Sequence, residues 1–335
     1  MDDAMMNTVS STALRTPATQ RLCISLCVAF ISGAACGRGD AMPRPAASTS
    51  TAAVLFRENF EDGAFAARGW YDLPNGGLAS VTANEHAPNS TRSLELRFRA
   101  GQASPAPAVS ARHLFPETET VYLSYWVKYG DAWVGSGAAY HPHEFYILTN
   151  ADGAFVGPAY TALTVYVEDN FQSAGGVPVL GIQDGRNVDV TRINQDLTNV
   201  TEQRAVAGCN GSFDTTQSAC YREGSVYLNG KMWRPSDVVF SAAQGAGYKG
   251  NWRRVEVFLK LNSIANGKAQ ADGVAQTWVD GKLVIDRSGV VFRTAKNASL
   301  KFNQLSISPH MGNGSPRDQS MWIDDVVVAT AREAR

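Results

Sequence analysis

The sequence predicts an all-β protein, a jelly-roll sandwich of two antiparallel sheets with one long inserted loop region. Three observations predict it: short runs in which apolar and polar residues alternate, Gly and Pro at brief intervals between them, and no stretch that sustains a helical period of 3.6 residues. The alternation is clearest from Asn251 to Asp286. In WRRVEVFLKLN, Arg253, Val255, Val257, Leu259 and Leu261 fall on one face, and Trp252, Arg254, Glu256, Phe258, Lys260 and Asn262 on the other. The following AQTWVDGKLVID sets Ala275, Thr277 and Val279 against Gln276 and Trp278, then turns at Asp280-Gly281, a dipeptide suited to a tight hairpin. Two neighbouring strands thus pool an outward face of Glu, Lys, Gln and aromatics, a composition that suits a sugar-binding sheet.

The 335 residues, 44% hydrophobic and 18% charged, are enough for a sizeable core. A net charge of -1, with no block of Lys and Arg, excludes the electrostatic footprint of a nucleic-acid or anionic-membrane binder. Near the start, Arg15 and Arg21 precede the apolar LCISLCVAFI, and Gly33-Ala34-Ala35-Cys36 follows. That run is well short of the about 20 residues a spanning helix needs. It fits the core of an export signal over residues 1–36, and hence a secreted, periplasmic or cell-surface location. Two cleavage readings stay open: an ordinary cut near the Ala residues, or a box resembling that of bacterial lipoproteins, with Cys36 lipidated and Gly33 departing from the usual Leu. The lipid would then be the one link to a membrane. Asp2 and Asp3 are odd in a basic leader, so a start at Met5 or Met6 fits better.

Residues 37–53, rich in Pro, Ala, Ser and Thr, read as a flexible tether, and the jelly-roll domain as 54–330. VLFRENFEDGAFAARGWYD offers a short strand, an acidic turn at Glu61-Asp62-Gly63, and Phe65, Trp70 and Tyr71 to cap a core. SLELRFRA alternates Leu94, Leu96 and Phe98 against Ser93, Glu95, Arg97 and Arg99. AVSARHLFP comes next. VYLSYWVKY then opposes Val121, Leu123, Tyr125 and Val127 to Tyr122, Ser124, Trp126 and Lys128. HEFYILT and YTALTVYVED continue, with Leu163, Val165 and Val167 inward and Thr164, Tyr166 and Glu168 outward. Residues 170–249 break the regularity with Gly175-Gly176, a polar middle and a short strand within Val226 to Trp233, and read as an ordered insertion over one rim. Cys209 and Cys220 lie within it and pair as an expected disulfide, stabilising by roughly 3 kcal/mol in the chain-entropy model. A zinc site there lacks a C-x-x-C or His partner. SLKFNQLSIS and SMWIDDVVVAT supply the closing strands.

FRENFEDG, SLELRF, VYLSYWVKY, NWRRVEVFLKLN, QTWVDGKLV and the closing SPRDQSMWIDDVVV resemble the concanavalin-like jelly-roll proteins. That group includes laminin-G-type modules and polysaccharide lyases such as the glucuronan and alginate lyases. The resemblance runs from about Val54 to Thr330 in the order and spacing of strands, and the insertion has no counterpart in it. It implies a concanavalin-like sandwich and a polysaccharide partner. Since that sandwich also hosts glycosidases and lectins, fold does not choose the reaction. The resemblance further implies a structural calcium ion, with Glu58, Asp62, Asp324 and Asp325 as oxygen ligands near the two ends of the domain. The competing reading makes these an ordinary turn and a strand end.

A lyase acting on a uronate must neutralise the sugar carboxylate, abstract the proton beside it and protonate the leaving oxygen. Residues of the right types fall on outward faces: His143, Tyr146, Lys128, Arg112 and Gln276 for catalysis, with Trp126, Glu144, Tyr166, Glu256, Lys260 and Trp278 lining the substrate. His113 is an alternative to Arg112. Strand parity puts His143, Phe145 and Ile147 on one face and Glu144, Tyr146 and Leu148 on the other. Glu144 and Tyr146 are thus expected on the sheet face, and His143 at the strand end. The plainer alternative is that His141 and His143, beside Pro142, merely finish a loop. A glycosidase would need two of Glu144, Glu168 and Glu256 flanking one bond, yet the clustered Glu-x-Asp-x-x-Glu strand of laminarinase-like jelly rolls is absent. The reading is an exported monomer that cleaves a uronate-containing glycan by β-elimination, or else a non-catalytic carbohydrate-binding surface protein.

Overall fold

The computed structural model describes residues 52–73, 81–105, 110–138, 141–186 and 231–332. Its strands, in chain order, are β1 (Val54–Glu58), β2 (Trp70–Tyr71), β3 (Val81–Thr82), β4 (Ser93–Phe98), β5 (Ala111–Thr118) and β6 (Thr120–Tyr129). They continue with β7 (His143–Thr149), β8 (Thr164–Gln172), β9 (Gly175–Gln183), β10 (Lys231–Trp233), β11 (Phe240–Ser241) and β12 (Arg253–Lys260). The last six are β13 (Ile264–Ala265), β14 (Lys268–Ala269), β15 (Gly273–Val279), β16 (Lys282–Val290), β17 (Phe302–His310) and β18 (Gln319–Ala329). Among the described residues there is no α-helix, and none long and apolar enough to cross a membrane.

Two eight-stranded antiparallel sheets form the sandwich. The first runs β16-β15-β12-β6-β18-β4-β3, with β1 beside the distal half of β18; the second runs β10-β9-β8-β7-β17-β5-β2, with β11 sharing the edge of β9. This is the predicted jelly-roll sandwich. The alternation that predicts the strands also sets the core. Val121, Leu123 and Val127 of β6 and Val255, Val257 and Leu259 of β12 are buried against Phe145 and Ile147 of β7, Val165 and Val167 of β8 and Leu305 and Ile307 of β17. Each such side chain contributes about 1.5–3 kcal/mol relative to exposure. The hairpin of β15 and β16 turns at Asp280 and Gly281, both at positive φ, as its sequence requires.

The expected insertion is shorter at both ends than its sequence suggests. β8 continues through Asn170 to Gln172, and β9 follows directly, because Gly175 at φ 134 turns the chain back. A Pro inside a run argues against a strand. Pro178 is nevertheless in β9, between the stretches paired by β11 and β10, where no described neighbour needs its missing N–H. Residues 187–230 lie outside the described residues, as do the export signal, Cys36 and the tether up to residue 51. The disulfide requires correction: the structure contains none among the described residues, and Cys209 and Cys220 fall outside them. The covalent closure of the insertion is therefore not retained.

Candidate functional site

Parity along β7 is broken by a bulge. Opposite β8, His143 pairs with Glu168 and Phe145 with Val167, so Glu144 is the extra residue. The opposite ladder to β17 is also irregular, passing from Ile307–Phe145 to His310–His143. A bulge of one residue turns the side chains on either side of it to the same face. His143 and Tyr146 therefore share the outer face of the second sheet, whereas Glu144 and Phe145 both enter the core. This corrects the expectation that Glu144 lines the substrate.

On that outer face His143 Nδ1 is paired with the Glu168 carboxylate, whose side chain is wholly buried. A carboxylate only accepts, so Nδ1 carries the hydrogen and Nε2 is left as the basic nitrogen. Asn170 Nδ2 donates to the other Glu168 oxygen at 3.0 Å. The His143 ring lies 4.7 Å from that of Tyr166 and 5.6 Å from that of Tyr146, centroid to centroid. Tyr166 donates to Gln183 Oε1 at 2.6 Å. Burial pushes both phenols well above their ordinary acidity range, Tyr146 with a further contribution from Tyr166. At neutral pH both are therefore O–H groups. His141 and His310 complete this end of the face: the His141 ring is 4.4 Å from His143 and 5.9 Å from His310. Burial and the neighbouring His143 hold His141 at about 4, so it is neutral.

Arg112 belongs to the same face, since Ser306 pairs with it on one side and with Tyr146 on the other. Its guanidinium is committed, however, to Asp72 Oδ2 at 2.8 Å, the Val156 carbonyl at 3.0 Å and Gln304 Oε1 at 3.1 Å. It holds Gln304 in place rather than waiting for a substrate carboxylate. Gln304 in turn donates to Tyr71 and the Ala154 carbonyl.

Behind the face lies a buried acid pair that the sequence did not announce. The Tyr129 hydroxyl is 2.8 Å from Glu144 Oε1 and 2.6 Å from Asp169 Oδ2, and Tyr125 reaches Glu144 at 3.5 Å. One hydroxyl has one hydrogen to give, so one of the two carboxyls must hold a proton for both contacts to be hydrogen bonds. Burial, and for Glu144 the nearby Asp169, raises both; Asp169 is pushed up to about 7.

The remaining candidates lie on the opposite side of the sandwich. Trp126 and Lys128 on β6, Glu256 and Lys260 on β12, and Gln276 and Trp278 on β15 project from the outer face of the first sheet. None of them shares a groove with His143. Several are locked to neighbours: Glu256 accepts from Arg332 Nε at 3.0 Å and from Tyr122 at 2.8 Å, while Arg332 covers the Trp278 ring at 4.4 Å. Lys128 pairs with Glu85, and Gln276 donates to Asp286. Lys128 and Gln276 are thereby corrected as partners of the His143 site, because β6, β12 and β15 belong to the other sheet. The three glutamates of the glycosidase alternative are separated in the same way, one in the core and one on each outer face.

The four carboxylates expected for calcium sit near the pairing of β1 with β18. Each of the first three already has protein donors. Glu58 takes Arg68, Trp70 Nε1 and the Phe60 N–H; Asp62 takes Arg68; Asp324 takes the N–H groups of Ala87 and Asp325. Among the described residues no group of three or more His, Cys, Asp or Glu is arranged to hold a metal.

Together the two sheets define an antiparallel jelly-roll sandwich with a polar outer face. No family model matches the chain, and no curated protein does. Among solved structures it is similar to a marine alginate lyase from Aplysia kurodai, at 12% identity and a TM-score of 0.52, covering 83% of this chain and 99% of that one. An alginate lyase from a Chlorella virus matches at 14% identity and a TM-score of 0.48, covering 76% of this chain and 90% of that one. An endo-β-1,4-glucuronan lyase from the fungus Trichoderma reesei matches at 13% and 0.42, covering 83% and 96%. What is shared with the Aplysia enzyme at this identity is the fold.

Proposed function

We propose that the outer face of the second sheet carries out β-elimination on a uronate-containing polysaccharide. The observation that carries this reading is the His143–Glu168 pair set between two protonated tyrosines on one face. His143 Nε2 takes the proton from the ring carbon that bears the carboxylate. The electron pair left behind forms the double bond to the neighbouring carbon, and the bond from that carbon to the glycosidic oxygen breaks. Tyr146, kept protonated at neutral pH by burial, delivers its phenolic proton to that oxygen. With its Oε1 held by Tyr166, the Gln183 amide can turn its N–H groups to the substrate carboxylate, which favours the charge that develops there.

Glu168 is a positioning residue in this scheme: it fixes the His143 tautomer and ring plane. Glu168→Gln is expected to lower kcat by about 100-fold or more while leaving KM within a few-fold, as loss of a correctly held general base does. Wild-type kcat in that variant contradicts the assignment of His143 as base. Retention of a glycan by the wild-type protein with no unsaturated product identifies a binding protein instead.

A further inference from the structure

A cavity of about 370 Å³ opens at the far end of the same strand, lined by Asn170, Gln172 and Val177 of β8 and β9 and by the loop that joins β10 to β11. Asn170 and Gln172 follow Glu168 on the outer face by two and four residues, about 7 and 13 Å along a strand. The volume falls in the range of small-ligand sites. Its walls are of two kinds. Val177, Pro235 and Val238 are apolar, and Val238 is 44% exposed, which suits the flat C–H face of a sugar ring. Asn170, Gln172, Ser236 and Arg234 are polar and converge from both sides.

Arg234 is the decisive group. It is exposed and among the described residues has no ion pair or hydrogen bond, although Asp237 stands three residues away on the same loop. That loop is pinned at both ends. Trp233 and Phe240 are buried in the core, the Val239 N–H donates to the Gly176 carbonyl at 2.9 Å, and Arg253 Nη1 holds the Val239 carbonyl at 3.1 Å. An exposed guanidinium on a pinned loop, without a partner among the described residues and at the rim of a cavity with one apolar wall, suits a planar anion on a sugar.

We infer that this cavity is a subsite for a second uronate unit of the chain bound at His143, with Arg234 pairing its carboxylate. The inference rests on the proposed reading of the His143 face and adds to it the charge of the neighbouring unit. It makes the cleft selective for polymers in which acidic units follow one another.

The test is calorimetric titration of oligosaccharides from alginate and from glucuronan, with a carboxyl-reduced oligomer and a sulfated neutral one as controls. Wild type, Arg234→Ala, Arg234→Lys and His143→Ala are compared. Arg234→Ala is expected to weaken the acidic oligomers about tenfold or more and to leave the carboxyl-reduced one unchanged, with Arg234→Lys intermediate. His143→Ala, which lacks the base, supplies the background in which binding is read without turnover. Equal affinities of wild type and Arg234→Ala overturn the subsite, as does failure of wild type to bind any acidic oligomer. Preference for the sulfated control over both uronates overturns the carboxylate assignment. The lyase reading can fail separately: Arg234-dependent binding without product leaves the subsite standing, and turnover insensitive to Arg234 removes the subsite alone.

Discussion

The contact between Tyr129 and two carboxyls makes a single proton part of the folded structure. Glu144 and Asp169 are buried against Tyr125 and Tyr129 of β6, with Glu168 on the far face of β8 and Arg253 of β12 exerting a weaker opposite pull on Asp169. Both carboxyls are raised above their ordinary range, so the folded state holds a proton that the unfolded chain releases. By linkage, the stability this pair supplies is complete below the ordinary carboxylate range and is lost as pH rises toward about 7 for Asp169. His141, lowered from 6.5 to about 4, has the opposite slope over that interval, so a variant must be compared with wild type at each pH. Asp169→Asn is expected to raise Tm relative to wild type by several degrees at about pH 8 and by less at about pH 5. A difference that does not change with pH contradicts the shared proton.

At the scale of elements, the bulge in β7 and the glycine pair of β9 shape the face. The bulge is what sequence parity missed: nothing in HEFYILT marks Glu144 as an extra residue, and a strict period of two sets His143 and Tyr146 apart. Glu168 showed an outward parity, but its partnership with His143 depends on register across strands, which a single sequence does not state. Gln183, Gln304 and Ser306 were missed for the same reason. Gly175 and Gly176 were legible as an irregularity and misread as the start of a loop. A Cβ at Gly175 would stand 2.2 Å from the Phe240 carbonyl, and one at Gly176 2.6 Å from the Phe171 ring. Gly175→Ala therefore forces β11 off β9 and adds strain at a positive φ. It is expected to destabilise by about 1–3 kcal/mol in urea unfolding and to weaken binding at the Arg234 cavity. Wild-type stability and binding in that variant would contradict the close packing of β11.

For the whole molecule, the sandwich was legible because its signal is repeated: each strand is an independent alternating run, and an error in one leaves the others intact. The site had no such redundancy. WRRVEVFLKLN and AQTWVDGKLVID read correctly as neighbouring strands with a polar outer face, yet that face belongs to the first sheet and is closed by Arg332. A sandwich has two outer faces, and composition does not say which strands share one. Once the topology assigns β7, β8, β9 and β17 to a single sheet, His143, Tyr146 and Tyr166 fall together while Lys128 and Gln276 fall away. The measurement that tests this division most directly is ultraviolet absorbance of unsaturated uronates, followed with purified protein over alginate, glucuronan, pectate and glycosaminoglycans. A rise on a polyuronate is expected, reduced about 100- to 10,000-fold in His143→Ala and Tyr146→Phe and unchanged in Lys128→Ala and Gln276→Ala. A rise that survives loss of His143 but disappears with Lys128 would place the chemistry on the other sheet and contradict the account.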